Sequence, residues 1–166
     1  MKFNPATTAS FTGHRSYRNQ AADALDSTVE RLSREGFTDF LCGMAVGFDM
    51  AAAESVMRMR TLLADRKLRL IAVVPFAGQA ARFAAAQRER YGRILAAADG
   101  VVCMAEHYTA ECYRRRNDFL VDNASVVVAW YDGSAEGGTC YTVGRARRTG
   151  RRIVNLRPSE QLEIEF

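Results

Sequence analysis

Phe37-Thr38-Asp39-Phe40-Leu41-Cys42-Gly43-Met44-Ala45-Val46-Gly47-Phe48-Asp49 runs from an apolar strand, through a turn marked by two glycines, into the start of a helix. Phe37 to Cys42 reads as the strand, and about Phe48 to Asp65 as the helix, with Ala52, Val56, Met59 and Leu63 stacked on one face. The arrangement recurs twice. Ala9-Ser10-Phe11-Thr12 enters Gly13-His14-Arg15, and the apolar run Ser125 to Tyr131 enters Asp132-Gly133-Ser134-Ala135-Glu136-Gly137-Gly138-Thr139. In a parallel α/β sheet the loops leaving the carboxyl ends of the strands converge on one edge. Glycines there let the backbone approach a ligand, and helix N-termini attract negative charge. The three turns therefore predict one shared crevice for a small phosphate-bearing molecule.

Outward from these turns, strand and helix patterns alternate along the whole chain. A helix is expected from about Asn19 to Glu35, with Leu25, Val29 and Leu32 on its core face and Gly36 as its stop. Leu68 to Pro75 reads as a strand, and about Gln79 to Ala98 as a long helix carrying Tyr91, Ile94, Leu95 and Ala98 at core spacing. Gly100 to Met104 is a strand, Glu106 to Cys112 a polar loop, and Tyr113 to Asn123 a short helix. A helix from Gly138 to Thr149 and a strand from Arg152 to Leu156 complete the pattern, and the tail after Pro158 reads as peripheral. Parallel strands need crossover connections, so this alternation predicts an α/β fold: a doubly wound parallel sheet in a single three-layer domain, with its core at about residues 10–156.

A chain of 166 residues with 48% hydrophobic content suffices for one sizeable core. No window approaches the ~20 apolar residues of a membrane span, and Met1-Lys2-Phe3-Asn4-Pro5 has no signal-peptide character, so a cytoplasmic protein without a membrane partner is expected. Cys42, Cys103, Cys112 and Cys140 lack C-x-x-C spacing and read as free thiols. His14 and His107 are too few for a zinc site, although Cys103, His107 and Cys112 lie close in sequence. No metal and no certain cofactor are expected. The net charge of +4 comes largely from Arg114-Arg115-Arg116 and from Arg145, Arg147, Arg148, Arg151 and Arg152. Such clusters suit nucleic acid, a membrane surface or an anionic metabolite, or simply line a solvated helix face.

Phe11-Thr12-Gly13-His14-Arg15, the segment Cys42 to Glu54, Pro75-Phe76 followed by Gln79, the segment His107 to Ala124 and the segment Tyr131 to Ala146 together resemble the YpsA-like family of small bacterial and phage proteins. That family belongs to the superfamily (SLOG) that unites the DNA-processing protein DprA with the Lonely Guy cytokinin-activating enzymes. The resemblance spans about Ser10 to Leu156 and rests on five motifs in order. It implies a Rossmann-like fold with a site for a nucleotide or nucleotide derivative, and it supplies no established reaction.

Among the candidate ligand-binding residues, Gly13 is expected to form a crevice wall where a side chain would collide with ligand, with His14 and Arg15 projecting beyond it to hold a phosphate or a base. Gly43 and Gly47 serve a sharp turn that a plain packing role also explains. Asp49 is either a helix-start cap or a group that accepts a ribose hydroxyl. Glu54, set among Ala51, Ala52 and Ala53, is the candidate general base, with Asp49 as the other tentative catalytic carboxylate. Asp132, Gly133, Gly137, Gly138 and Thr139 form the third turn, where backbone N–H groups and a hydroxyl meet a phosphate. That turn also resembles the phosphate signature of the Lonely Guy enzymes, with a departure: their catalytic glutamate, three residues after the threonine, is here Thr142. Arg116 and Asn117 match an Arg-Asn pair of the family, the first suited to phosphate and the second to a base edge or a helix cap. Tyr108 and Tyr113 are stacking candidates, and Trp130 reads as core.

These residues favour a nucleotide-binding sensor or regulator, with the phosphate over Gly137, Gly138 and Thr139, the ribose near Asp49 and the base near His14, Arg15 or Tyr108. An N-glycosidic hydrolase of nucleoside monophosphates is the first alternative. Single-strand DNA binding in the manner of DprA, favoured only by the arginine clusters, is the second. Folds of this type often pair through helices, which leaves a homodimer open.

Overall fold

Six apolar runs become six strands of one sheet: β1 (Thr8–Gly13), β2 (Asp39–Cys42), β3 (Arg69–Val74), β4 (Gly100–Cys103), β5 (Val126–Trp130) and β6 (Arg152–Asn155). The computed structural model describes residues 1–157, so the tail after Pro158 lies outside the described residues. Every pairing is parallel, in the order β4-β3-β2-β1-β5-β6. Helices α1 (Ala22–Arg34), α2 (Phe48–Leu62), α3 (Ala85–Ala97), α4 (Cys112–Asp122) and α5 (Gly138–Arg148) make the crossovers.

Alternation along the strands sorts side chains between the two faces. Phe11, Phe40, Leu70 and Val128 pack with Leu25 and Val29 of α1, Val56 of α2 and Ile94 of α3. On the opposite face Leu41, Ile71 and Val73 meet Leu120 of α4, while Val127 meets Val121 of α4 and Ala146 of α5. The result is the doubly wound, three-layer Rossmann-like arrangement expected. The chain runs outward from β1 to β4, then returns across the sheet to place β5 beside β1. That reversal is a topological switch point, where the loops on either side part and open a crevice. Gly13 pairs with Trp130 in register, so the first and third glycine turns begin side by side.

Three helices differ from the sequence expectation, and one of them, α2, stops at Leu62 rather than Asp65, with a 3-10 turn at Ala64–Arg66 after it. Helix α1 begins at Ala22 because Asn19 adopts a left-handed φ of 63° and the Ala21 N–H donates to the Tyr17 hydroxyl at 3.4 Å. The expected helix Gln79–Ala98 is broken into a 3-10 turn, Gln79–Arg82, and α3. Phe83 and Ala84 between them are extended, with ψ near 150°, which lets Phe83 set its ring edge-on to Tyr91 at 5.8 Å. Tertiary packing overrides the helix propensity of the alanine-rich stretch. All four cysteines are free, and among the described residues no helix is long and apolar enough to cross a membrane.

Candidate functional site

A cavity of about 340 Å³ opens at the switch point. Thr12, Gly13, His14 and Arg15 bring one wall from the end of β1, and Gly137, Gly138 and Thr139 bring the opposite wall from the start of α5. The floor is one face of α4: Tyr113, Arg116, Asn117 and Leu120 follow the i, i+3, i+4, i+7 spacing and all line the cavity. Helix α5 begins without a side-chain cap and without an acidic residue in its first turn. Its N-terminal charge is therefore uncompensated by its own sequence. Gly137, at φ 100°, takes the backbone conformation that admits this entry.

Asp49 and Arg116 form the electrostatic centre. Both are more than nine-tenths buried. Asp49 Oδ2 accepts the Ala45 N–H at 3.2 Å, and burial pushes the carboxyl up to about 6 against the pull of Arg116. Burial likewise depresses the Arg116 pKa, and Asp49 opposes that shift. The Arg116 guanidinium donates to the Gly43 carbonyl and, through Nε, to Asn117 Oδ1 at 2.8 Å, and it sits 5.8 Å from the centre of the Tyr113 ring. Much of its bonding capacity thus goes into the fold, although the residue still lines the crevice.

The reason for Gly13 differs from the sequence expectation, while Gly43 and Gly47 have the packing role that the sequence also allowed. A β-carbon at Gly13 would collide with the Phe48 ring, so packing against α2 demands that glycine, whether or not ligand is bound. At Gly43 it would lie 2.7 Å from Arg116 Nη1 and 2.9 Å from Asp49 Oδ2, between the two halves of the buried charge pair. At Gly47, where φ is 92°, it would lie 2.6 Å from the Arg15 backbone oxygen. This close contact, with the Phe48 N–H donating to the His14 carbonyl at 3.3 Å, joins the first and second turns. Within the three turns, Gly133 and Gly137 have open space around them, while at Gly138 a β-carbon would make an ordinary 3.5 Å contact with Asn117 Nδ2.

Glu54 does not enter the crevice, contrary to expectation. Its carboxylate accepts from Arg90 Nε at 2.8 Å and pairs with the Arg90 guanidinium, joining α2 to α3. Thr142 is fully buried, and its hydroxyl donates to the Gly138 carbonyl at 2.8 Å, one helical turn back. Asp132 and Gly133 stand outside the lining. Ser134, through its hydroxyl and its N–H, holds the Asp132 carboxyl down to about 2. His14 Nε2 lies 2.9 Å from Asp132 Oδ1 and 3.1 Å from the Asp132 N–H, tying the first turn to the third. One nitrogen cannot donate to the carboxylate and accept from the N–H at once: Nε2 carrying a hydrogen makes the first contact, and Nε2 without one makes the second. Trp130 is buried as expected, edge-on to Tyr17 at 5.2 Å. Cys103 is exposed while Cys112 is buried, and among the described residues no group of three His, Cys, Asp or Glu side chains could hold a metal ion. Thr12, Ala45 and Leu120 line the crevice without having been singled out from the sequence. The period of α4, continued from Arg116 and Asn117, is a signal that would have reached Leu120.

A model of the YspA SLOG family matches residues 9–156. The chain is 30% identical over 150 residues to a UPF0398 protein of Shouchella clausii, covering 86% of this chain and 78% of that relative. It is 26% identical over 158 residues to the SPbeta prophage-derived protein YoqJ of Bacillus subtilis, covering 87% and 91%. Among solved structures, DNA processing protein A (DprA) of Streptococcus pneumoniae superposes with a TM-score of 0.66 at 17% identity, over 97% of this chain and 52% of the other. DprA of Helicobacter pylori, a structure concerned with its single-stranded DNA binding mode, gives a TM-score of 0.63 at 15% identity, over 90% and 64%. The chain thus spans about half of the first DprA and less than two thirds of the second, and the likeness to both is one of fold.

Proposed function

This chain belongs to the YspA SLOG family, and on that premise we propose that it binds a nucleotide or nucleotide-derived ligand in the crevice between β1 and β5, as a sensor or regulator. The observation that carries this reading is the uncapped start of α5 opposite Arg15 and Arg116 across one cavity. Unspent backbone N–H groups facing two guanidinium groups suit a phosphate. The ribose belongs near Asp49, which accepts a hydroxyl without leaving its bond to Ala45. Titration calorimetry with ribose 5-phosphate and AMP tests the reading: both should bind one per chain with Kd below about 1 mM. Absence of any heat from either overturns it.

A hydrolase reading is favoured by one feature, the Asp49 carboxylate on the crevice wall with its pKa near 6, a value suited to a general base. Against it, Thr142 is a neutral hydroxyl already bonded to its own helix. We therefore expect no release of adenine from AMP. Release at ~1 s⁻¹ or faster, lost in Asp49→Asn while AMP still binds, would replace the sensor by an N-glycosidase. Single-stranded DNA, which the DprA of Helicobacter pylori binds, is the other rival ligand, and its salt dependence separates it from a crevice ligand.

A further inference from the structure

A second chamber, about 620 Å³ in volume, adjoins the crevice and shares Arg15 and Tyr113 with it. Its other walls include Phe76, Gln79 and Arg82 from the segment after β3, and Tyr108 from the loop before α4. Phe76 holds Tyr108 and Tyr113 edge-on, with ring centres 5.7 and 6.1 Å away. Tyr108 is nevertheless 65% exposed, a large aromatic surface kept in water at the mouth of a cavity. Gln79 presents the opposite anomaly. It is only 5% exposed, yet its Oε1 has no hydrogen-bond partner among the described residues. Buried amides are almost always paired, so an orphan at a cavity wall asks for a ligand. The Arg15 side chain, at the junction of the two chambers, makes no hydrogen bond or ion pair among the described residues.

Resting on the crevice reading above, we propose that this second chamber seats the nucleobase of the ligand whose phosphate lies at the start of α5. The base stacks against the Phe76, Tyr108 and Tyr113 cluster, Gln79 pairs with its edge, and Arg15 bridges the two halves of the ligand. A base has a π-face for the rings and, on its edge, adjacent donor and acceptor atoms. The glutamine amide offers the complementary acceptor and donor, and its terminal torsion is soft enough to turn towards them. His14 is the poorer base partner: its ring is edge-on to Trp130 at 6.0 Å, is tilted against Tyr131 at 5.9 Å, and its Nε2 is engaged by Asp132.

The test is calorimetric titration of the full chain with two probes, AMP and ribose 5-phosphate, for the wild type, Tyr108→Ala and Gln79→Leu, with circular dichroism on each variant. AMP should bind more tightly than ribose 5-phosphate by about 5- to 150-fold, the range of base stacking on aromatic side chains. Tyr108→Ala, at an exposed position, should keep the fold and remove most of that margin while leaving ribose 5-phosphate affinity unchanged. Gln79→Leu should do the same, and if that buried position does not tolerate leucine the Tyr108 variant decides alone. Equal affinity for the two probes in the wild type, or a margin untouched by Tyr108→Ala, overturns the base chamber while ribose 5-phosphate binding keeps the crevice reading intact. Failure of both probes to bind overturns both.

Discussion

Asp49 holds a carboxylate out of water beside Arg116, and the consequence is a pH-dependent stability. Its pKa rises from 3.8 to about 6 on folding, so the folded state takes up a proton at pH values where the unfolded chain has lost it. The contribution is complete below pH 4 and is lost as pH rises through 6. Asp49→Asn removes that dependence. The stability gap between variant and wild type should therefore shift, in favour of the variant, by on the order of 2–3 kcal/mol between pH 4 and pH 7. Urea unfolding at four pH values across that range measures it, and a flat gap would mean that Asp49 does not titrate there. Glu54 makes the contrasting case. Its pair with Arg90 is about one-third exposed, so Glu54→Gln should cost no more than about 1 kcal/mol in thermal unfolding and leave the calorimetric affinity for AMP unchanged. A lost affinity would return Glu54 to the ligand site.

At the scale of elements, the glycine turns divide by what presses on them. Gly13 is enclosed by α2, so Gly13→Ala must push Phe48 aside and should lower stability by about 1–3 kcal/mol with or without ligand. Gly138 opens α5, and a β-carbon there meets nothing closer than Asn117 Nδ2 at 3.5 Å. Gly138→Val should keep its circular dichroism, since it alters helix propensity by less than about 1 kcal/mol, and should abolish ribose 5-phosphate binding by filling the phosphate seat. Calorimetry beside a thermal melt separates the two classes: retained affinity in a folded Gly138→Val would remove the phosphate from α5. Arg116→Ala is a poor probe of phosphate contact, because that guanidinium also carries the Gly43 carbonyl and Asn117.

For the whole molecule, the arginines behind the net charge of +4 are less available to an outside anion than their number suggests. Arg116 is buried, Arg145 pairs with Asp122 at 2.8 Å, and Arg152 pairs with Glu35 at 2.6 Å. Raising salt from about 50 to 200 mM should thus weaken AMP by less than about tenfold, whereas an oligonucleotide held through about six phosphates would lose several hundredfold. Tighter, steeply salt-dependent oligonucleotide binding would favour the nucleic-acid reading over the crevice. Much of this architecture is legible in the sequence because it rests on local signals. Hydrophobic period and glycine punctuation identify Phe37 to Cys42 as strand and Phe48 onward as helix, and strand–helix alternation compels a parallel sheet whose turns converge on one edge. Those signals point Gly13, Arg15, Asp49 and Gly138 towards one cavity, and the family resemblance adds Arg116; all five line it. What they leave open is the direction of each side chain and the partner it meets. Glu54 turns to Arg90, 36 residues on. Phe48 closes over Gly13, and Phe83 breaks a helix to reach Tyr91. Gln79, two elements away from α4, lines a chamber together with Tyr113. Such contacts join elements distant in the chain, and only the packed sheet, by choosing which faces meet, decides them.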